Sequence, residues 1–272
     1  MKHALLALLV AAAVSAQGEH RRDPEFERVL VPVFFSGPGA QGALWATNVD
    51  VLNTGAAFEM PRAVLGEPGE LCDAERHVGP RVGEVVCPQY QHAAGIILYV
   101  PRSGVDYENV HVSARVLDRS RTGDRYGTAI PVVWERNLLV NPMVLLDIPT
   151  GDPRYRASLR LYDVYQWNTQ FTLRFYDMAA VRRGETTPLL VTQVTAIWDT
   201  DSEASQKYPS RPSFALIGDL GAAYPQLKAV QSVAIEVTGA DSADPDQPET
   251  RLYALASITN NHTQEVTIVS PK

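Results

Sequence analysis

Cysteine is almost missing from this chain: 272 residues hold two, Cys72 and Cys87. Histidine is scarce as well, at six, and His20, His77, His92, His111 and His262 lie scattered. There is no G-x-S-x-G elbow and no H-E-x-x-H helix, so neither the α/β-hydrolase nor the metalloprotease signature is met. No basic tract with interleaved aromatics occurs, and the formal charge is −7. That balance argues against non-specific binding to nucleic acid or to anionic membranes. Beyond the N-terminus, no apolar run reaches the ~20 residues needed to cross a bilayer. Long amphipathic helices are lacking too. Only 178–183 and 220–227 read as helical, and Pro225 interrupts the second.

The N-terminus has a clear pattern. "MKHALLALLVAAAVSAQ" combines a basic start at Lys2, an apolar stretch over 4–14, and small residues at Val14 and Ala16. This is the pattern of a secretory signal peptide, residues 1–16, too short to be a comfortable membrane span. The mature chain is then expected to begin at Gln17 and to work in a secreted, periplasmic or extracellular setting. Residues 17–28, "QGEHRRDPEFER", read as a flexible polar lead-in.

After that the chain alternates with a period of two. Val110, Val112, Ala114 and Val116 share one strand face, opposite His111, Ser113 and Arg115. Leu159 and Leu161 oppose Arg160 and Tyr162; Phe171, Leu173 and Phe175 oppose Thr172 and Arg174. Turn-forming phrases such as "NTGA", "RTGD" and "TNNHT" separate the runs. The strand spacing is that of β-sandwiches, which take about 100 residues each. The expected fold is therefore all-β, two tandem antiparallel β-sandwiches at 29–133 and 134–272. "ERVLVPVFF" and "GTAIPVVWE" form a weak internal echo.

"VLVPVFFSGPGAQGALWATNVDVLNTG" resembles the opening of a family of uncharacterised secreted proteins of environmental bacteria. The resemblance rests on Pro38, Gly39, Gly42, Trp45 and Thr47, on the segment "VSARVLDRSRTGDRYGTAIPVV", and on "RLYALASITNNHTQEVTIVSP" with Asn260 and Asn261 in its turn. Ala114, Val116 and Leu117 depart from the family pattern. The family implies immunoglobulin-like sandwich domains outside the cell. It carries no catalytic residues across.

Each candidate motif has a plainer explanation beside it. Gly37, Gly39 and Gly42 fit G-x-G-x-x-G, but an alternating strand follows them rather than a helix. Without a helix N-terminus there is no cradle for a pyrophosphate. The expectation is an inter-strand loop with Trp45 anchoring the next strand in the core, and no cofactor. Cys72 and Cys87 are expected to pair, closing a loop of about 15 residues worth roughly 3 kcal/mol. Zinc held with His77 and His92, or two free thiols, are the alternatives. Asp199, Asp201 and Glu203, and Asp241, Asp244 and Asp246, form acidic loops where calcium competes with simple solvated charge. Trp167, in the apparent turn "VYQWNTQ", is the candidate exposed ligand surface. Asn261 heads a glycosylation sequon.

The expected role is a non-enzymatic structural, adhesive or interaction protein. Its partner would be a protein, a glycan of the cell surface, or a second copy of itself. A carbohydrate-binding module is the alternative, with a secreted hydrolase of loop-assembled site behind it.

Overall fold

The computed structural model describes residues 23–39, 42–60, 77–78, 82–85, 95–103, 107–120, 127–138, 142–164, 168–197, 212–239 and 251–271. Residues 1–22, Cys72, Cys87, His92, Trp167 and both acidic loops lie outside them, and His77 is described in its backbone only.

Strands dominate, as the alternation predicts. The first half carries β1 (Phe26–Val31), β2 (Ser36–Pro38), β3 (Leu44–Asn53), β4 (Phe58–Glu59), β5 (His77–Val78), β6 (Val82–Val85), β7 (Ile96–Pro101), β8 (Val110–Asp118), β9 (Thr128–Ile130) and β10 (Val133–Trp134). The second carries β11 (Met143–Pro149), β12 (Tyr155–Asp163), β13 (Asn168–Asp177), β14 (Leu190–Ile197), β15 (Ser213–Ile217), β16 (Ser232–Gly239), β17 (Leu252–Asn260) and β18 (Val266–Val269). Two short helices, α1 (Met178–Arg182) and α2 (Leu220–Ala223), fall inside the two stretches expected to be helical. Asp177 and Asp219 cap them, each carboxylate accepting a backbone N–H of the first turn.

The strands form antiparallel sheets. In the first half, β10–β1–β7 faces a second sheet, β2–β3–β8–β9, to which β6 adds along β3. A small β4–β5 ribbon forms a separate sheet, and its Phe58 packs into the first-half core. The second half is an eight-stranded sheet, β11–β16–β13–β14–β15–β12–β17–β18. Its strands β14 and β15 meet only at Ile197 and Phe214, so the sheet opens there into two layers. Strand β11 then packs against β12 and β17 across a core filled by Leu145, Leu159, Phe171, Phe175, Ile235 and Leu252. The sandwich-like closure follows from one apolar face per strand seeking cover.

The halves share a core. On β12 and β17 the inward residues Leu159, Leu161 and Ala254 fill the second core. The opposite faces of the same strands carry Tyr162, Tyr253 and Leu255, and these belong to the first-half core. The Tyr162 hydroxyl donates to the Pro32 carbonyl, and its ring packs 5.3 Å from Phe214 and 6.4 Å from Tyr253. Strands β1 and β7 are correspondingly buried along nearly their whole length. Continuous apolar runs such as "VLV" and "IILYV" mark strands covered on both faces.

Three expectations need adjustment. The lead-in ends earlier than Arg28, because β1 begins at Phe26 and buries Glu27 and Arg28. Trp134 pairs with Val29 on the first-half sheet, so the changeover between sheets falls between Trp134 and Met143. Trp45 is only half-buried; the core below it is filled by Ala46, Val49 and Val51 instead.

Candidate functional site

The glycine phrase builds one wall of a cleft. Strands β2 and β3 form a hairpin, with Gly37 opposite Trp45 and the Gly39 N–H donating to the Ala43 carbonyl at 2.8 Å. Gly42 sits at φ +79°, where glycine is at ease. A Cβ on Gly39 would run into the Trp45 indole, so glycine is what lets the ring lie against the turn. G-x-G-x-x-G is thus a hairpin turn, as its strand context predicts. Trp45 is held over a cavity of about 620 Å³ between the two halves.

The cleft floor is the outer face of the second half. On β12, Arg156, Ser158 and Arg160 project in the same direction at every second residue. Across on β17, Ser257 faces Ser158 and Thr259 faces Arg156. The two serine hydroxyls are hydrogen-bonded at 2.5 Å. The Arg160 guanidinium lies 5.8 Å above the Phe214 ring. The opposite wall is apolar and comes from the first half: Val33 and Phe35 before β2, Val116 on β8 and Ile130 on β9. Edge strand β18 closes one side with Val266 and Ile268. The Thr128 hydroxyl donates to the Val266 carbonyl at 3.3 Å, tying the edge of one half to that of the other.

Charge is unevenly distributed here. The floor presents two guanidiniums within a chain of net charge −7. The carboxylate lining the cleft, Asp219, already accepts the Ala222 N–H at 3.1 Å. Arg156 also lines an adjoining hollow of about 380 Å³ with Lys228, Asn261 and the carboxylates of Asp152 and Asp219. Nearby Asp152 is occupied by Arg154 through bonds of 2.6 to 3.0 Å, and that guanidinium holds its carboxyl below the ordinary aspartate value.

A second charged cluster lies at the far end of the first-half sheet. The dipeptide Glu27-Arg28 clasps the dipeptide Glu135-Arg136. Arg136 Nε is 3.0 Å from Glu27, and Arg28 Nη1 is 3.6 Å from Glu135. Arg102 bridges both carboxylates, at 2.7 Å from Glu135 and 3.7 Å from Glu27. Both glutamates are almost wholly buried. The Arg28 N–H also donates to Glu135 at 3.0 Å. Carboxylates held this way by several guanidiniums act as clamps between the two segments. Beside them, burial pushes the Tyr99 hydroxyl far above its ordinary value, against the opposing pull of Arg28.

Among the described residues, no group of three or more His, Cys, Asp and Glu side chains is gathered as a metal site. No helix there is long and apolar enough to cross a membrane. His111 is exposed on β8 and His262 sits in the turn before β18, so the two lie in different halves. Strand β12 ends at Asp163 and β13 starts at Asn168, on either side of Trp167. Sequence reasoning missed the cleft residues and the paired Glu-Arg dipeptides. The signals were present as "RASLR" on a period of two and as the dipeptide "ER", which opens "ERVLVPVFF" and directly follows "GTAIPVVW". No family model, curated protein or solved structure matches this chain.

Proposed function

We propose that the protein is a secreted, non-enzymatic interaction protein built of two immunoglobulin-like sandwiches. Its binding surface is the cleft between them. The observation that carries this reading is the 620 Å³ cleft, with its apolar wall and its few convergent polar groups. That size and lining are those of ligand sites, which span roughly 300–1,000 Å³. The leader-like residues 1–16 support an extracellular setting. The resemblance to secreted bacterial sandwich proteins points the same way.

A carbohydrate ligand is the second reading. It is favoured by Trp45 and Phe35 standing opposite the hydroxyls of Ser158, Ser257 and Thr259.

A differential thermal-shift screen of the exported chain tests the proposal. Panels of organic acids, sugars and peptides are run against the wild type and against Ser158→Phe, which plugs the floor. Ligands that stabilise only the wild type support the cleft. Ligands that stabilise both proteins equally would move the binding surface elsewhere.

A further inference from the structure

We propose that the ligand of the cleft is a small amphipathic carboxylic acid, its head group on Arg156 and its apolar body against the first-half wall. This rests on the cleft being the binding surface and adds the chemistry of what it takes. Three observations carry it.

First, the half-buried Arg156, paired through its backbone with Thr259, has a guanidinium with no hydrogen-bond or ion-pair partner among the described residues. The acids near it are engaged: Asp152 by Arg154, and Asp219 by the first turn of α2. A guanidinium in that position offers a planar donor fork, which matches a carboxylate in geometry and charge.

Second, the cavity is amphipathic. Val116, Ile130, Val266 and Ile268 provide aliphatic surface, with Trp45 as a flat apolar face, and the floor carries Arg156 and Arg160. Arg156 also borders the adjoining hollow, where Lys228, Asp152 and Asp219 are its charged neighbours. A ligand with one anionic end and one greasy end satisfies both. A sugar acid would satisfy the guanidinium and the Ser158, Ser257 and Thr259 hydroxyls, but would set its remaining hydroxyls against the aliphatic wall at a desolvation cost.

Third, the protein is acidic as a whole. Within that net negative chain the cleft lining carries two guanidiniums, Arg156 and Arg160, against one carboxylate, Asp219, a local balance that favours an anion there.

Isothermal titration calorimetry on the exported chain reads this directly, with octanoate, octanol and galacturonate as probes. Octanoate is expected to bind at one per chain, with octanol at least about tenfold weaker, the loss expected for one charge-assisted hydrogen-bond pair. Arg156→Gln is expected to weaken octanoate by about tenfold or more, with the melting temperature unchanged. Arg156→Lys should restore part of the affinity. Equal binding of octanoate and octanol, no binding of octanoate, or full octanoate affinity in Arg156→Gln would each overturn the proposal. Galacturonate binding in place of octanoate, blocked by Ser158→Phe, would overturn the ligand class while leaving the cleft as the binding surface. A ligand indifferent to Ser158→Phe would overturn both.

Discussion

Tyr99 shows how a single buried group shapes the behaviour of the molecule. It sits on β7 opposite Arg28 of β1, with its ring edge-on to Phe26 at 6.5 Å between centroids. Burial raises its hydroxyl pKa well above the ordinary 10.0. In the unfolded chain the same phenol ionises at its ordinary value, so the unfolded state releases the proton first as pH rises. The stabilisation is therefore complete below pH 10 and drains away above it, by up to about 1.4 kcal/mol per pH unit for one proton. Tyr99→Phe is expected to flatten the alkaline decline of urea-unfolding free energy. Tyr253, raised chiefly by burial as well, should leave a smaller residual slope. An unchanged alkaline slope in Tyr99→Phe would refute this assignment. At the same scale, Trp45 owes its place over the cleft to Gly39, where any side chain would push the indole away.

Between elements, the clasp of two Glu-Arg dipeptides fastens β1 to the turn after β10. Both carboxylates are buried, and removing Glu135 takes the ion-pair partner from the buried Arg28 guanidinium. Glu135→Gln is expected to cost about 3–5 kcal/mol in chemical denaturation, the scale for breaking a buried pair. Glu185→Gln, which breaks the Arg183–Glu185 pair with both side chains more than half exposed, should cost under about 1 kcal/mol. Similar losses in the two variants would show that the clasp is not a buried network.

Strand by strand, the sequence was readable where one face is apolar and the other polar. The alternating faces of β8, β12 and β13 follow from a period of two alone. It was less readable where both faces are covered. Tyr162 and Arg160 share the polar-looking face of β12, yet Tyr162 is fully buried and Arg160 lines the cleft. Periodicity assigns faces, but what covers a face depends on residues more than 100 positions away, such as Pro32 beneath the Tyr162 hydroxyl. The cleft floor was invisible for the same reason: Arg156, Ser158 and Arg160 have the pattern of an ordinary solvent face.

At the scale of the whole molecule, two halves that share a core should not melt independently. Tyr162, Val164, Tyr253 and Leu255 place second-half side chains in the first-half core. Scanning calorimetry is expected to show one cooperative transition. Tyr162→Ala should cost about 3–5 kcal/mol, the range for truncating a buried aromatic, and should uncouple the halves into two transitions. Two transitions in the wild type would contradict a shared core. The same junction that couples the halves also encloses the cleft, so binding there should stabilise both together.

A crystal structure of the protein, soaked with a ligand that the wild type binds and Ser158→Phe does not, tests the central claim most directly. The account predicts ligand density between Trp45 and the β12 floor, with its polar end at Arg156. Density on another surface, or a cleft closed by its own side chains, would contradict it.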